Sequence, residues 1–346
     1  LNLLTQLMTT TCLISGTVIT ASSHHWMMIW LGLELNMLSI LAIILKPKHP
    51  RASEAAIKYF LIQAIASTMI LCASTINATQ TGQWEISMMT NKYACTMILL
   101  ALVMKLGAVP TYFWLPEVMQ GTTTMTALII TSWQKIAPIS IMFMSQNHLP
   151  QNMMMTIGIL SIIIGGLGSI NQTQLRKLMA YSSINNLGWT LVIFTTSPNT
   201  AILNIILYMI MIMPSFFLIK KMLLKTLQDL TTSWTSSPLA SSLLTFLLLS
   251  LSGLPPLTGF TPKIMILNDL ITENLLPLAT IAIMMSLISL FFYIRTTYVI
   301  TMITPPLTSL STTKWRTFTQ QQKFMSIIIT PSLMMLPLLP TLSSMM

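Results

Sequence analysis

The stretch ACTMILLALVMKLGAVPTYFWLPEV, residues 94–118, begins as a membrane helix should, apolar in almost every position. Lys105 then stands in its interior, followed by Gly107, Pro110 and Pro116. A charge near the bilayer centre costs about 2.5–3.5 kcal/mol on insertion scales. Proline removes a backbone donor and clashes with the preceding turn, which predicts a helix break near Pro110, just past the lysine. In lipid, the carbonyls freed by a break must be satisfied by protein groups or internal water. Charge and break together predict a small polar pocket at membrane depth.

The rest of the chain supplies the membrane. Of 346 residues, 53% are hydrophobic and only 7% charged, where an ordinary soluble domain carries about 25% charged residues. So few charges cannot cover a soluble fold of this length, whereas a helix bundle has lipid as its solvent. The fold class is therefore an all-α polytopic membrane protein. Mostly apolar runs of the length a span needs, about 20 residues, occur near 2–21, 26–45, 58–77, 94–115, 123–144, 152–170, 176–196, 200–222, 238–272 (long and broken), 276–299 and 325–345. That makes eleven expected spans.

Charge placement tests the count. With the N-terminus on side A and strict alternation, side A holds Lys46, Lys48, Arg51, Lys58, Arg176, Lys177, Lys220, Lys221, Lys225, Arg295, Lys314, Arg316 and Lys323. Side B holds only Lys92. A bias of thirteen to one makes side A the cytoplasmic or matrix side. The net charge of +10 then reflects loops that meet anionic lipid headgroups, and it requires no nucleic-acid partner.

Four charges remain inside spans: Glu34, Lys105, Lys135 and Lys263. One carboxylate cannot pair with three lysines at once, so structural ion pairs do not account for the set. Proton transfer does. A lysine withdrawn from water holds its proton less firmly, and a nearby carboxylate restores the grip, so neighbours that change charge can load and unload it. The ninth span breaks at Pro255 and Pro256, seven residues before Lys263. Each broken helix is fourth in a run of five, and five is odd. The second run therefore enters the membrane from the opposite side, giving two inverted repeats, 1–148 and 149–300, followed by a C-terminal loop and last helix in 301–346. Discontinuous helices that meet near the midplane are the usual ion sites of such folds.

Other features have plainer readings. Cys12, Cys72 and Cys95 each lie in an apolar run, with no spacing that suggests a metal or redox pair. His24, His25, His49 and His148 form no ligand pattern. IIGGLGSI (163–170) is flanked by membrane helix, where small residues serve close packing rather than phosphate binding. No cofactor or metal site is expected in this chain. Residues 1–20 lack the basic segment and cleavage site of a signal peptide. Glu54 and Lys58, four apart with the acid first, suit a helix-surface pair. Glu117 is either a solvated loop acid or a proton entry point. Arg295 is expected to reach the interface.

Six ordered blocks carry a resemblance over nearly the whole chain: WLGLELNMLSI, PRASEAAIKYFLIQA, KLGAVPTYFWLPEVMQG, SWQKIAPIS, NQTQLRKLMAYSSINNLGW and LSGLPPLTGFTPK. They resemble the antiporter-like membrane subunits of respiratory complex I, NADH:ubiquinone oxidoreductase, in their shortened animal mitochondrial form. The resemblance implies a proton-translocating subunit of the inner membrane, N-terminus in the matrix and C-terminus in the intermembrane space. Its implied partners are other membrane-arm subunits, membrane lipids and protons. NADH, FMN, iron–sulfur clusters and ubiquinone would act elsewhere in the complex. Glu34 matches the family's membrane glutamate, Lys105 the lysine of the first broken helix, Lys135 the connecting lysine and Lys263 the lysine of the second broken helix. Tyr112 and Asn186 stand where the family usually has histidine, so a relay there would pass a hydrogen bond without titrating. A stand-alone cation/proton antiporter with the same lysines and a structural membrane subunit remain the alternatives on residues alone.

Overall fold

The structure, a computed structural model, describes residues 3–302 and 329–333. Its regular elements among these residues are helices: α1 (Leu3–Ser22), α2 (Trp26–Ile44), α3 (Pro50–Thr81), α4 (Lys92–Leu106), α5 (Trp114–Gly121), α6 (Thr124–Thr131), α7 (Trp133–Met144), α8 (Gln151–Ile170), α9 (Leu175–Ile193), α10 (Pro198–Lys221), α11 (Leu227–Ser236), α12 (Pro238–Ser252), α13 (Phe260–Thr272) and α14 (Leu276–Met302). Seven described stretches are long and apolar enough to cross a membrane, with α6 and α7 counted as one. Helix α9 and the interrupted pairs α4/α5 and α12/α13 fall where three further spans are expected. The last expected span, 325–345, lies outside the described residues except for 329–333.

Local chemistry explains the boundaries. α3, α10 and α12 each start on a proline, Pro50, Pro198 and Pro238, where a missing N–H costs nothing. His25 and His49 find a role at helix starts. Their Nδ1 atoms accept the backbone N–H of Met27 (3.3 Å) and Arg51 (3.2 Å), capping α2 and α3. Hydroxyls inside the helices are satisfied locally. Thr10, Thr68 and Thr75, exposed on the helix surfaces, donate to the carbonyls of Leu7, Ile65 and Cys72, three residues back. Such back-bonding lets a polar side chain lie within lipid without an orphan donor.

Two compact units divide the chain at Ser161–Ile162. In unit 1, α1 lies along α2, α3 packs on α2, α4 and α5, and α7 packs on α1 and α4. In unit 2, α10 packs on α9, α12 and α13, while α14 covers α12 and α11. Two features are absent from the sequence reading. Residues Leu227–Ser236 form α11, a short helix started by a capping box in which Thr226 and Asp229 satisfy each other's backbone N–H groups. The fifth expected span bends at Ser132, between α6 and α7, and Pro138 follows inside α7.

Candidate functional site

Unit 1 gathers its polar interior around the end of α4. The helix stops at Leu106 because Gly107 adopts φ 76° and ψ 33°, a left-handed conformation that favours glycine. A Cβ there would lie 2.9 Å from Leu115 Cδ1 and 3.1 Å from the Trp114 ring. Glycine is thus the stop signal, and Pro110 lies within the break that follows. The carbonyls that the break frees are taken up by side chains. Trp114 Nε1 donates to Met104 O at 3.2 Å, and Gln63 Nε2 donates to Lys105 O at 3.4 Å.

Around this break sit the expected residues. Lys105 and Lys135 are each only 3% exposed, which no lysine adopts without a compensating environment. Glu34 on α2 is half-buried and acts electrostatically on Lys105 and on Tyr59, without a direct ion pair to Lys105. Tyr59 on α3 is fully buried, and its hydroxyl accepts from Gln134 Nε2 at 2.9 Å. Gln134 immediately precedes Lys135, so the hydrogen bond ties the second lysine's turn to the first lysine's surroundings. Tyr59, Gln63 and Gln134 are members of the site that the sequence reading passed over. Uncharged polar residues inside apolar spans were the signal available for them. Gln63 Oε1, Gln134 Oε1 and both amide atoms of Asn36 are buried without a protein partner, the condition that internal water satisfies.

Unit 2 has a break of the same build. α12 ends at Ser252, Gly253 adopts φ 82° and ψ 45°, and α13 resumes at Phe260. Pro255 and Pro256 lie within the break and are exposed. Lys263, on the first turn of α13, reaches back to it. Its Nζ donates to Ser252 O at 2.6 Å and lies 6.0 Å from the centre of the Trp189 ring on α9. A cation at the C-terminal end of a half-helix meets the negative end of its dipole, and the indole face adds a cation–π contact.

The two lysines therefore hold different stations. A shift of 146 residues carries Gly107 to Gly253, Pro110 to Pro256 and Pro116 to Pro262. It carries Lys105 to Leu251 and Glu117 to Lys263. Lys105 stands before its break and Lys263 after.

Glu117 is not free. Lys58 Nζ lies 2.8 Å from its carboxylate and 2.5 Å from that of Glu54, so the expected Glu54–Lys58 pair extends to Glu117 and ties α5 to α3. Tyr112 lies in the first break, its ring 4.0 Å from that of Phe113. Asn186 Nδ2 donates to Ser182 O at 3.2 Å within its own helix. Arg295 Nη1 donates to Ile170 O at 2.7 Å and so caps α8. Cys12, Cys72 and Cys95 are free thiols, and no cluster of three or more His, Cys, Asp or Glu side chains among the described residues could hold a metal ion.

Known proteins resemble this chain. The family described as NADH:quinone oxidoreductase/Mrp antiporter, TM, matches residues 23–289. NADH-ubiquinone oxidoreductase chain 2 of Varanus melinus is 47% identical over 332 residues, 96% of each chain. The protein of the same name from Aquarana catesbeiana is 44% identical over 327 residues, 94% of this chain and 95% of that one. Among solved structures, a chain of respiratory complex I from Thermus thermophilus with bound aureothin superposes with a TM-score of 0.79 at 22% identity, covering 94% of this chain and 77% of that one. This chain belongs to the NADH:quinone oxidoreductase/Mrp antiporter membrane-subunit family.

Proposed function

We propose that the chain is a proton-translocating membrane-arm subunit of respiratory complex I, coupling electron transfer from NADH to ubiquinone to proton movement across the mitochondrial inner membrane. The observation that carries the reading is two lysines at 3% exposure, one of which, Lys105, ends a broken helix within electrostatic reach of half-buried Glu34. Near-full-length similarity to NADH-ubiquinone oxidoreductase chains selects the oxidoreductase over a stand-alone antiporter. Glu34, Lys105, Lys135 and Lys263 hold and release the protons. Tyr112 and Asn186 pass hydrogen bonds at most, and Glu117 serves α5 as an anchor. Electron carriers and quinone act in other subunits, which are the chain's partners together with membrane lipids.

The topology is read in the same way. Eleven spans form two five-span repeats and a last helix, with the N-terminus in the matrix and the C-terminus in the intermembrane space. Equal lengths support the repeats: α1 and α8 have 20 residues each, α2 and α9 have 19, and α4 and α12 have 15. The test is protons moved per NADH oxidised in reconstituted complex I carrying Lys105→Met, which keeps the stem and removes the charge. A normal assembly with a lower ratio, or with turnover halted, supports the reading. An unchanged rate and ratio overturn it for Lys105.

A further inference from the structure

The two units agree residue by residue in places that packing alone decides. His25, just before α2, forms an antiparallel bridge to Glu85, and Gln174, just before α9, forms one to Thr226. On α1 and α8, Gly16 and Gly165 sit so close to Asn36 and Asn185 that an added Cβ would lie 2.5 Å and 2.7 Å from them. All three correspondences, 25 to 174, 16 to 165 and 36 to 185, are shifts of 149 residues. The same shift carries Glu34 to Ser183 and Tyr59 to Tyr208.

The surroundings follow the numbers. In unit 1, Tyr59 lies within electrostatic reach of Glu34 and takes a hydrogen bond from Gln134 on α7. In unit 2, Tyr208 lies within electrostatic reach of Ser183, Ser182 and Tyr293 on α14, and Tyr293 within reach of Ser182. Ser182 and Ser183 are fully buried, Tyr293 is 1% exposed and Tyr208 3%. The serine hydroxyls donate to Met179 O (2.6 Å) and Ala180 O (2.7 Å), and a hydroxyl oxygen keeps lone pairs with which to accept.

We propose that Ser182, Ser183, Tyr208 and Tyr293 are proton-passing residues of unit 2, an uncharged counterpart of the Glu34–Tyr59–Gln134 cluster. The proposal rests on the proton-translocating reading above. A hydroxyl takes an incoming proton on its oxygen lone pair as its own O–H proton leaves for the next oxygen. One O–H bond forms, one breaks, and nothing is oxidised. Because the serine O–H bonds rest on Met179 O and Ala180 O, Ser182 and Ser183 must each rotate toward the next hydroxyl before handing a proton on, and the cluster conducts but stores no charge. Storage in this unit belongs to Lys263. Hydroxyl groups that merely pin helices together are the competing explanation, and they differ in what their removal does.

The test uses intact complex I in liposomes, with protons moved per NADH and coupled turnover as readouts and native-gel assembly as a check. Tyr208→Phe and Ser183→Ala remove hydroxyls at nearly constant volume. Each is expected to lower coupled turnover by about tenfold, one hydrogen bond's free energy placed in the barrier, with assembly intact. Ser183→Thr returns a hydroxyl and is expected to recover most of that loss. If both hydroxyl deletions pump normally while Lys105→Met does not, the cluster is packing and this inference fails alone. If Lys105→Met also pumps normally, the functional reading fails first. Loss of assembly in both deletions assigns the hydroxyls to structure and overturns the proposal.

Discussion

Gly253→Ala probes the seat of Lys263. Gly253 lies at φ +82°, and an added Cβ would meet Lys263 Nζ at 2.9 Å and its Cδ and Cε at 3.0 Å. Two costs follow. Holding alanine in the left-handed region costs about 1–2 kcal/mol. Displacing the ammonium strips Ser252 O of its 2.6 Å partner, and a buried carbonyl left without one costs about 1–3 kcal/mol. The sum is roughly 2–5 kcal/mol. Gly82→Ala is the internal control, because Gly82 has φ +72° and nothing within 4 Å of the added Cβ. It isolates the backbone cost. The assay is unfolding of the subunit within purified complex I during an SDS titration in mixed micelles, comparing both variants with the unmodified protein. Gly253→Ala is expected to lose clearly more stability than Gly82→Ala. Equal losses would mean that the amine does not sit over the end of α12, and the capping argument for Lys263 would fall.

Two further outcomes are expected. Tyr59→Phe leaves Gln134 buried without its acceptor, which should cost about 1–3 kcal/mol and weaken proton transfer together with stability; normal pumping and an unchanged SDS midpoint would remove Tyr59 from the site. At Asp229 the backbone N–H groups of Thr226 and Lys225 hold the carboxyl below its ordinary value, so its contribution is complete above the unfolded carboxylate's pKa, about 3.9, and is lost as pH falls through the lower folded value. Amide exchange at Lys225 and Thr226 should therefore quicken only in acid below that range, and Asp229→Asn should quicken it already at neutral pH.

Much of this architecture is legible in the sequence because lipid makes charge expensive. Glu34, Lys105, Lys135 and Lys263 stand out against apolar runs, and the two major breaks follow from nearby Gly and Pro. What stayed hidden depended on partners distant in sequence. Gln63 caps Lys105 O across 42 residues, and Gln134 meets Tyr59 across 75; neither carries a charge to draw the eye. Prolines drew attention to the breaks, yet the chain stops at Gly107 and Gly253, because a left-handed residue ends a helix before proline's clash is felt. The bend at Ser132 has no glycine or proline beside it and was invisible. Glu117, read as a solvated loop acid or a proton entry point, is exposed; its ion pair was hidden because its partner Lys58 lies on another helix.

The back-bonded hydroxyls along these helices bear on how the gene can change. A threonine that satisfies its own donor differs from isoleucine, as far as lipid is concerned, mainly by a small polar atom already spoken for. The two residues are also one C-to-T transition apart in the genetic code. Lipid-facing positions can therefore drift between them under biased mutation with little consequence, and selection is left to act on the few sites where geometry allows no exchange: the two break glycines, the buried lysines and the hydroxyls within reach of one another.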